Sequence, residues 1–451
     1  HLMTEGRSED FQKFFLGTHF FNPPRYLELL EIIPTPKTDP EVVDFFMHYG
    51  DRYLGKTTVL CKDTPAFIAN RVGIFAIMDL FHKVGEMGLS VEDIDKLTGP
   101  LIGRPKSATF RTADVVGLDT LIHVANGLAH AVPHDEKQEV FKLPGFLQKM
   151  QENNWLGSKT GQGFYKKVKG EDGKSEILSL DLDTLEYTSQ KRSKFATLEL
   201  TKTIDDVRER WKVLIGGKDK AGEFYRRSVA GVMAYAANRI PEIADDLFRI
   251  DQGMRAGFGW KHGPFEIWDA IGFEKGIKLI EAEGLSLAPW VKEMQAAGHT
   301  SFYTVKEGQG YYYNIGDKNY QALPGGKSFI VLDHIRPSKT VWKNKECAIE
   351  DLGDGMVSID LDALEKAMNV MDDAPLEDAL PRDDVAAELG SDELGDLDSL
   401  LSDIDDTEGT EETEDDMDLQ LQELLDLLGE DEVLEEKITV DMGEDKDGTF
   451  N

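Results

Sequence analysis

The chain repeats itself. Phe110 to Asp114 (Phe-Arg-Thr-Ala-Asp) returns as Phe265 to Asp269 at an offset of 155, and Ile94-Asp95 returns as Ile250-Asp251 at 156. Lys159 to Tyr165 (Lys-Thr-Gly-Gln-Gly-Phe-Tyr) returns as Lys306 to Tyr312 at 147. Near-constant offsets mean one supersecondary unit used twice. The segments inside each copy carry helical punctuation. Thr38-Asp39-Pro40-Glu41 is a capping signal opening a helix with Val42, Phe45, Phe46 and Tyr49 on its apolar stripe. Asp63-Thr64-Pro65 starts a longer helix, about 65–85, cored by Phe67, Ile68, Phe75 and Met78. Ser90 to Asp93 caps a third. The pattern predicts a mainly α chain with two all-helical copies, residues 36–168 and 195–320, joined by a polar linker at 169–194. In register, Asn70 falls opposite Tyr225, so the second copy reads as structural.

Charge divides the chain differently. The net charge is −35, yet residues 350–451 hold 38 acidic against 4 basic side chains, and everything before them is nearly neutral. Nothing basic points to nucleic acid. Residues 372–451 are too acidic and too poor in aromatic and β-branched side chains to offset ordering entropy, and read as a disordered acidic tail. Its leucine-rich patch, Leu419 to Leu428, suggests docking to a partner, and a merely solubilising tail fits as well. The two cysteines, Cys61 and Cys347, have no metal-ligand spacing, and His123, His130 and His134 lack acids at ligand spacing, so no metal site is expected. No apolar run is long enough to span a membrane, and a reducing cytoplasm suits the composition. The opening His1-Leu2-Met3 begins in mid-pattern and reads as the start of a fragment.

The stretch richest in chemistry lies near that start. An apolar run ends at His19, turns at Asn22-Pro23-Pro24, and re-enters as Tyr26 to Ile33, short and Leu/Ile-rich, which reads as a strand. Alternation puts Leu27, Leu29, Glu31 and Ile33 on one face. Glu31 is the odd member, and a buried carboxylate needs a fixed partner. His19, across the turn, is the natural one. A carboxylate holding one imidazole nitrogen leaves the other free as a general base near neutral pH. A purely structural pair satisfies the same spacing.

Three motifs occur in order over residues 7–167: His19-Phe-Phe-Asn-Pro-Pro24 with a Glu twelve residues after the His, Cys61-Lys-Asp-Thr-Pro-Ala-Phe-Ile-Ala-Asn70-Arg71, and Lys159-Thr-Gly-Gln-Gly-Phe-Tyr165. Together they resemble the NAD-dependent 3-hydroxyacyl-CoA dehydrogenases of fatty-acid β-oxidation, in the form with tandem C-terminal domains. The resemblance implies an acyl-CoA substrate, NAD as cofactor, His19 as base, Glu31 as its orienting partner, and an Asn70 side chain bonded to the substrate. It implies that residues 1–35 are the last strands of a truncated Rossmann domain, and that the second helical copy takes the place a partner subunit fills in single-copy dimers. No G-x-G-x-x-G follows a strand, and Gly257 to Gly263 has the wrong spacing. The expectation is therefore a chain lacking the NAD-binding loop and inactive alone, with no assigned cofactor-binding residue. Residues 321–371 read as a connector in which Ile349 to Ile359 resembles the first hairpin of a crotonase domain. The alternative is an acyl-CoA-binding or assembly module whose acidic tail recruits a basic partner.

Overall fold

The computed structural model describes residues 2–169, 175–191, 193–325, 331–343, 348–353 and 355–359. The expected tail at 372–451 lies outside them. The chain opens with α1 (Glu9–Phe14), capped by the Ser8 hydroxyl accepting the Phe11 N–H at 3.2 Å. Strands β1 (Leu16–Phe20) and β2 (Leu29–Pro34) follow, then α2 (Pro40–Arg52) and β3 (Thr57–Leu60). Asp39, not Thr38, caps α2, accepting the Glu41 N–H at 3.0 Å, and Pro40 occupies the first turn. β1 runs antiparallel to β2, and β2 parallel to β3 with α2 as the crossover. This corrects the boundary at residue 35, because α2 and β3 belong to the same sheet unit as β1 and β2. Leu29 to Ile33 are all buried, so β2 is covered on both faces rather than alternating. The expected core stripe of α2 is also corrected: Phe45 is 59% exposed, meets Phe46 edge-on and stacks on Tyr49 at the surface.

The first helical copy comprises α3 (Ala69–Met87), α4 (Val91–Thr98), α5 (Phe110–Val116), α6 (Leu118–Ala131) and α7 (Gly145–Glu152). Ser90 and Asp93 form the expected capping box on α4. The copy does not end in a linker. It closes on an antiparallel sheet of β4 (Tyr165–Lys169), β5 (Ser175–Leu180) and β6 (Tyr187–Ser189). The second copy runs through α8 (Ala196–Glu199), α9 (Val207–Leu214), α10 (Lys220–Asn238), α11 (Leu247–Phe258), α12 (Pro264–Ile271), α13 (Phe273–Ala282) and α14 (Pro289–Ala296). It too closes on three strands, β7 (Tyr303–Lys306), β8 (Gln309–Asn314) and β9 (Asn319–Ala322). After it come α15 (Leu332–Lys339) and a sheet of β10 (Thr340–Lys343), β11 (Ala348–Gly353) and β12 (Met356–Ile359). Four three-stranded sheets among the described residues overturn the all-helical expectation.

What repeats is a pair of buried aspartates. Asp95 of α4 accepts the N–H groups of Thr109, Phe110 and Arg111 at 3.0, 2.6 and 3.0 Å, and the Tyr165 hydroxyl at 2.8 Å. Asp251 of α11 accepts the N–H groups of Phe265 and Glu266 at 3.0 and 3.1 Å, and the Tyr303 hydroxyl at 2.7 Å. Asp114 of α5 takes the N–H groups of Phe164 and Tyr165 at 2.9 and 2.8 Å, and Asp269 of α12 takes those of Phe302 and Tyr303 at 2.8 and 2.9 Å. Each aspartate ties a helix start or a strand start to an earlier helix. Tyr303 is thus the equivalent of Tyr165, which replaces the Gly-Gln-Gly pairing at 147. Gly163 lies against Asp114, where a Cβ would collide with its Oδ1, whereas Gly310 lies against His334.

Burial raises the Asp114 carboxyl to about 7 and Asp95 to about 6, although their backbone donors pull the other way. A folded value above the unfolded one, about 4, means that the folded chain holds the proton more tightly. The stabilising contribution is complete below about pH 4 and is lost as pH rises toward 7. The stability of the native chain relative to Asp114→Asn should therefore fall between pH 4 and pH 8, by roughly 2–4 kcal/mol. Urea unfolding across that range checks this. A constant difference would contradict it.

α3 packs on α10 and α11, so the two copies share one core. At their seam Arg71 is fully buried. Its Nε donates to the Tyr235 hydroxyl at 2.7 Å, and its Nη2 donates to Asp135 at 2.7 Å and Glu242 at 2.9 Å. Arg239 meets the same two carboxylates at 3.0 and 2.8 Å. Tyr235 stacks on Phe75 at 3.8 Å.

Candidate active site

The β1–β2 ladder places His19 directly opposite Glu31. His19 Nδ1 lies 2.7 Å from Glu31 Oε2, the imidazole one-third exposed and the carboxylate fully buried. The other oxygen, Oε1, accepts the N–H groups of Ile68 and Ala69 at 3.1 and 2.9 Å. These are orphan donors at the start of α3, which has no side-chain cap of its own. Glu31 therefore caps α3 from another element, at the end of a helix that favours negative charge. Both carboxylate oxygens are committed, so the group cannot rotate away from the imidazole. A carboxylate can only accept, which puts the proton on Nδ1 and leaves Nε2 with a lone pair. Among the described residues Nε2 makes no hydrogen bond.

Two aromatic side chains that the spacing did not single out for the site hold the ring. Phe21 meets His19 edge-on at 5.2 Å, and Phe67 lies 5.5 Å away. Phe67 reaches it because Ala66 and Phe67 both adopt left-handed backbone conformations, with φ of 61° and 51°. Such residues are costly outside glycine and cluster where surroundings over-determine them. They also delay the start of α3 to Ala69, so the helix does not begin at Pro65 and Asn70 stands in its first turn. Asn70 follows the Ala69 N–H that Glu31 holds, and its half-buried side chain makes no hydrogen bond among the described residues. Cys61 is buried near Glu31, and burial, then the negative charge of Glu31, pushes its thiol well up. A cleft of about 1190 Å³ between α2 and β7–β8, lined by residues such as His48, Arg249 and Tyr311, includes neither His19, Glu31 nor Asn70.

Residues 3–64 match the family model for the 3-hydroxyacyl-CoA dehydrogenase NAD binding domain, and residues 67–167 match that for the 3-hydroxyacyl-CoA dehydrogenase C-terminal domain. Both segments are similar to the 3-hydroxyacyl-CoA dehydrogenase family. A probable 3-hydroxyacyl-CoA dehydrogenase of Bacillus subtilis (strain 168) is 44% identical over 369 residues, 82% of this chain and 46% of that protein. One from Deinococcus radiodurans is 50% identical over 171 residues, 38% of this chain and 49% of that protein. A putative fatty acid oxidation complex trifunctional enzyme of Rickettsia felis is 30% identical over 266 residues, 59% of this chain and 35% of that protein. The chain thus spans about half or less of the length of these relatives.

The dehydrogenase match corrects two expectations. The NAD-binding domain is matched to residue 64, not confined to a remnant ending at 35, and the reading of a chain without its NAD-binding loop is overturned. The expectation of inactivity alone rested on that reading and loses its premise. The cofactor of the matched domain is NAD. Two helix starts follow strands here, and carboxylates occupy both: Asp39 at α2, and Glu31 at α3. The chemistry assigned to the site below is that of this chain's own side chains. No described helix is long and apolar enough to cross a membrane.

Proposed function

We propose that the protein oxidises 3-hydroxyacyl-CoA to 3-oxoacyl-CoA, with His19 as the base that takes the C3 hydroxyl proton. What carries this reading is the doubly anchored Glu31 carboxylate, which fixes the His19 tautomer with Nε2 bare. NAD, when bound, supplies the hydride acceptor. Glu31 stabilises the imidazolium formed when Nε2 takes the proton, as a buried charge partner 2.7 Å away. Asn70, uncommitted among the described residues and beside the capped helix start, orients the substrate. The second helical copy serves as a scaffold. Its α10 covers α3, in the place that the family resemblance gives to a second subunit, and the Arg71 cluster ties the two copies together there.

The test is NADH formation, followed by absorbance, when purified protein is given 3-hydroxyacyl-CoA and NAD. Asn70→Ala should lower kcat/KM by about tenfold or more, the span of one lost hydrogen bond to a charged or developing-charge group. A protein that forms no NADH above the uncatalysed rate would contradict the proposal. Unchanged kcat/KM in Asn70→Ala would remove Asn70 from it.

A further inference from the structure

A second polar feature lies in the seam between the two copies, on side chains that the proposed reaction does not use. α3 and α10 there enclose a small chamber of about 30 Å³, lined by Leu80, Arg104, Trp211, Phe224, Tyr225 and Trp260, among others. Space of that size holds about two waters or one small ion. Most of the wall is apolar. Two donors on it have no acceptor among the described residues.

The first is the Arg104 guanidinium. It stacks over the Trp260 ring, 3.8 Å from the centroid, and makes no hydrogen bond or ion pair among the described residues. Burial pulls it down to about 10, and the group raising it is the Tyr225 phenol, not a carboxylate. The Tyr225 hydroxyl itself donates to the Leu97 carbonyl at 2.7 Å, so its hydrogen is spent elsewhere. Contrast Arg71 in the same seam, which has two carboxylates and a phenol. The second donor is the Trp211 indole. Trp211 is 2% exposed, and its buried Nε1–H has no partner among the described residues. A buried indole N–H ordinarily finds an acceptor. The Arg104 side chain is half-buried, and its cation–π contact offsets roughly 2 kcal/mol of the desolvation that it bears, which leaves the charge without a counter-ion on the chamber wall. The chamber therefore presents a positive charge, an orphan N–H donor, and room for one compact acceptor.

We propose that this chamber binds one compact monovalent anion, of the size of chloride or formate, between the Arg104 guanidinium and the Trp211 indole N–H. The anion neutralises Arg104 and accepts from Trp211. Because Arg104 comes from the first copy and Trp211 from α9 of the second, the bound anion joins the two. Anything that binds the folded state alone stabilises it in proportion to its occupancy.

The experiment is thermal unfolding of the full chain in sodium gluconate, whose anion is too large for the chamber, with stepwise exchange for chloride or formate at constant ionic strength. The native protein should show a saturable rise in midpoint. Trp211→Phe should need about tenfold more anion to reach the same rise, as expected for one lost hydrogen bond to a charge. Arg104→Met should show no rise, and in gluconate it should melt at or above the native protein, because an uncompensated charge has been removed from the chamber wall. Crystals soaked in bromide should show one anomalous peak between Arg104 and Trp211, which decides the matter even if Arg104→Met does not fold. An equal rise in the native protein and Trp211→Phe, or no bromide peak at that position, would overturn the proposal in favour of a chamber filled by water.

Discussion

His19→Ala should lower turnover by about two to four powers of ten, the span of a positioned general base, while unfolding close to the native temperature. The imidazole is one-third exposed and contributes one hydrogen bond to the fold, so its removal costs stability little. Glu31→Gln should reach a similar loss by another route. If the oxygen of the substituted amide keeps the Ile68 and Ala69 N–H groups, its nitrogen faces His19 Nδ1 and donates to it. The imidazole proton then moves to Nε2, and the base has no lone pair where the substrate hydroxyl arrives. The loss should fall on kcat with KM nearly unchanged, since neither side chain is assigned to ground-state binding. Steady-state kinetics with melting curves on both variants check this. Near-native turnover in His19→Ala would make the pair structural.

The largest effect on stability should come from Arg71→Met. Arg71 is fully buried and holds Tyr235, Asp135 and Glu242 at 2.7 to 2.9 Å. Burial raises the Asp135 carboxyl, but the Lys137 N–H, the Tyr235 hydroxyl and Arg71 outweigh it and hold the group below its ordinary range. Removing Arg71 leaves buried negative charge with Arg239 as its remaining guanidinium. Breaking one partner of a buried pair costs about 3–5 kcal/mol, far more than a surface pair. Urea unfolding should show it, and Arg71→Met combined with Asp135→Asn should recover part of the loss. A cost under about 1 kcal/mol, the range of an exposed pair, or no recovery in the double variant, would mean that the seam is held by its apolar core instead.

The pairing of His19 with Glu31 was legible because a short turn between two apolar runs forces antiparallel neighbours, and a carboxylate amid Leu and Ile betrays a buried partner. The start of α3 was not. Nothing in Pro65-Ala66-Phe67 announces two left-handed residues, and only the finished site explains why they are tolerated. The repeat was legible in its aspartates, whose roles depend on one carboxylate each. Its C-terminal part was misaligned because Gly-Gln-Gly recurs by local turn chemistry, while the shared contact runs through Tyr165 and Tyr303, marked in the sequence only by the short Phe-Tyr pairs Phe164-Tyr165 and Phe302-Tyr303. The closing strands β5 and β6 were hidden because they are short and polar, so their composition reads as a linker. Phe45 and Tyr49 show the converse error, an apolar stripe on α2 that faces outward among the described residues.

The tautomer of His19 tests the account most directly. The chain has 10 histidines, and the His19 signals can be assigned in a long-range proton–nitrogen NMR spectrum by their loss in His19→Gln. In its neutral ring the native protein should show His19 protonated at Nδ1 with a bare Nε2, and Glu31→Gln should move the proton to Nε2. A native His19 carrying its proton on Nε2 would leave the site without its base and contradict the account.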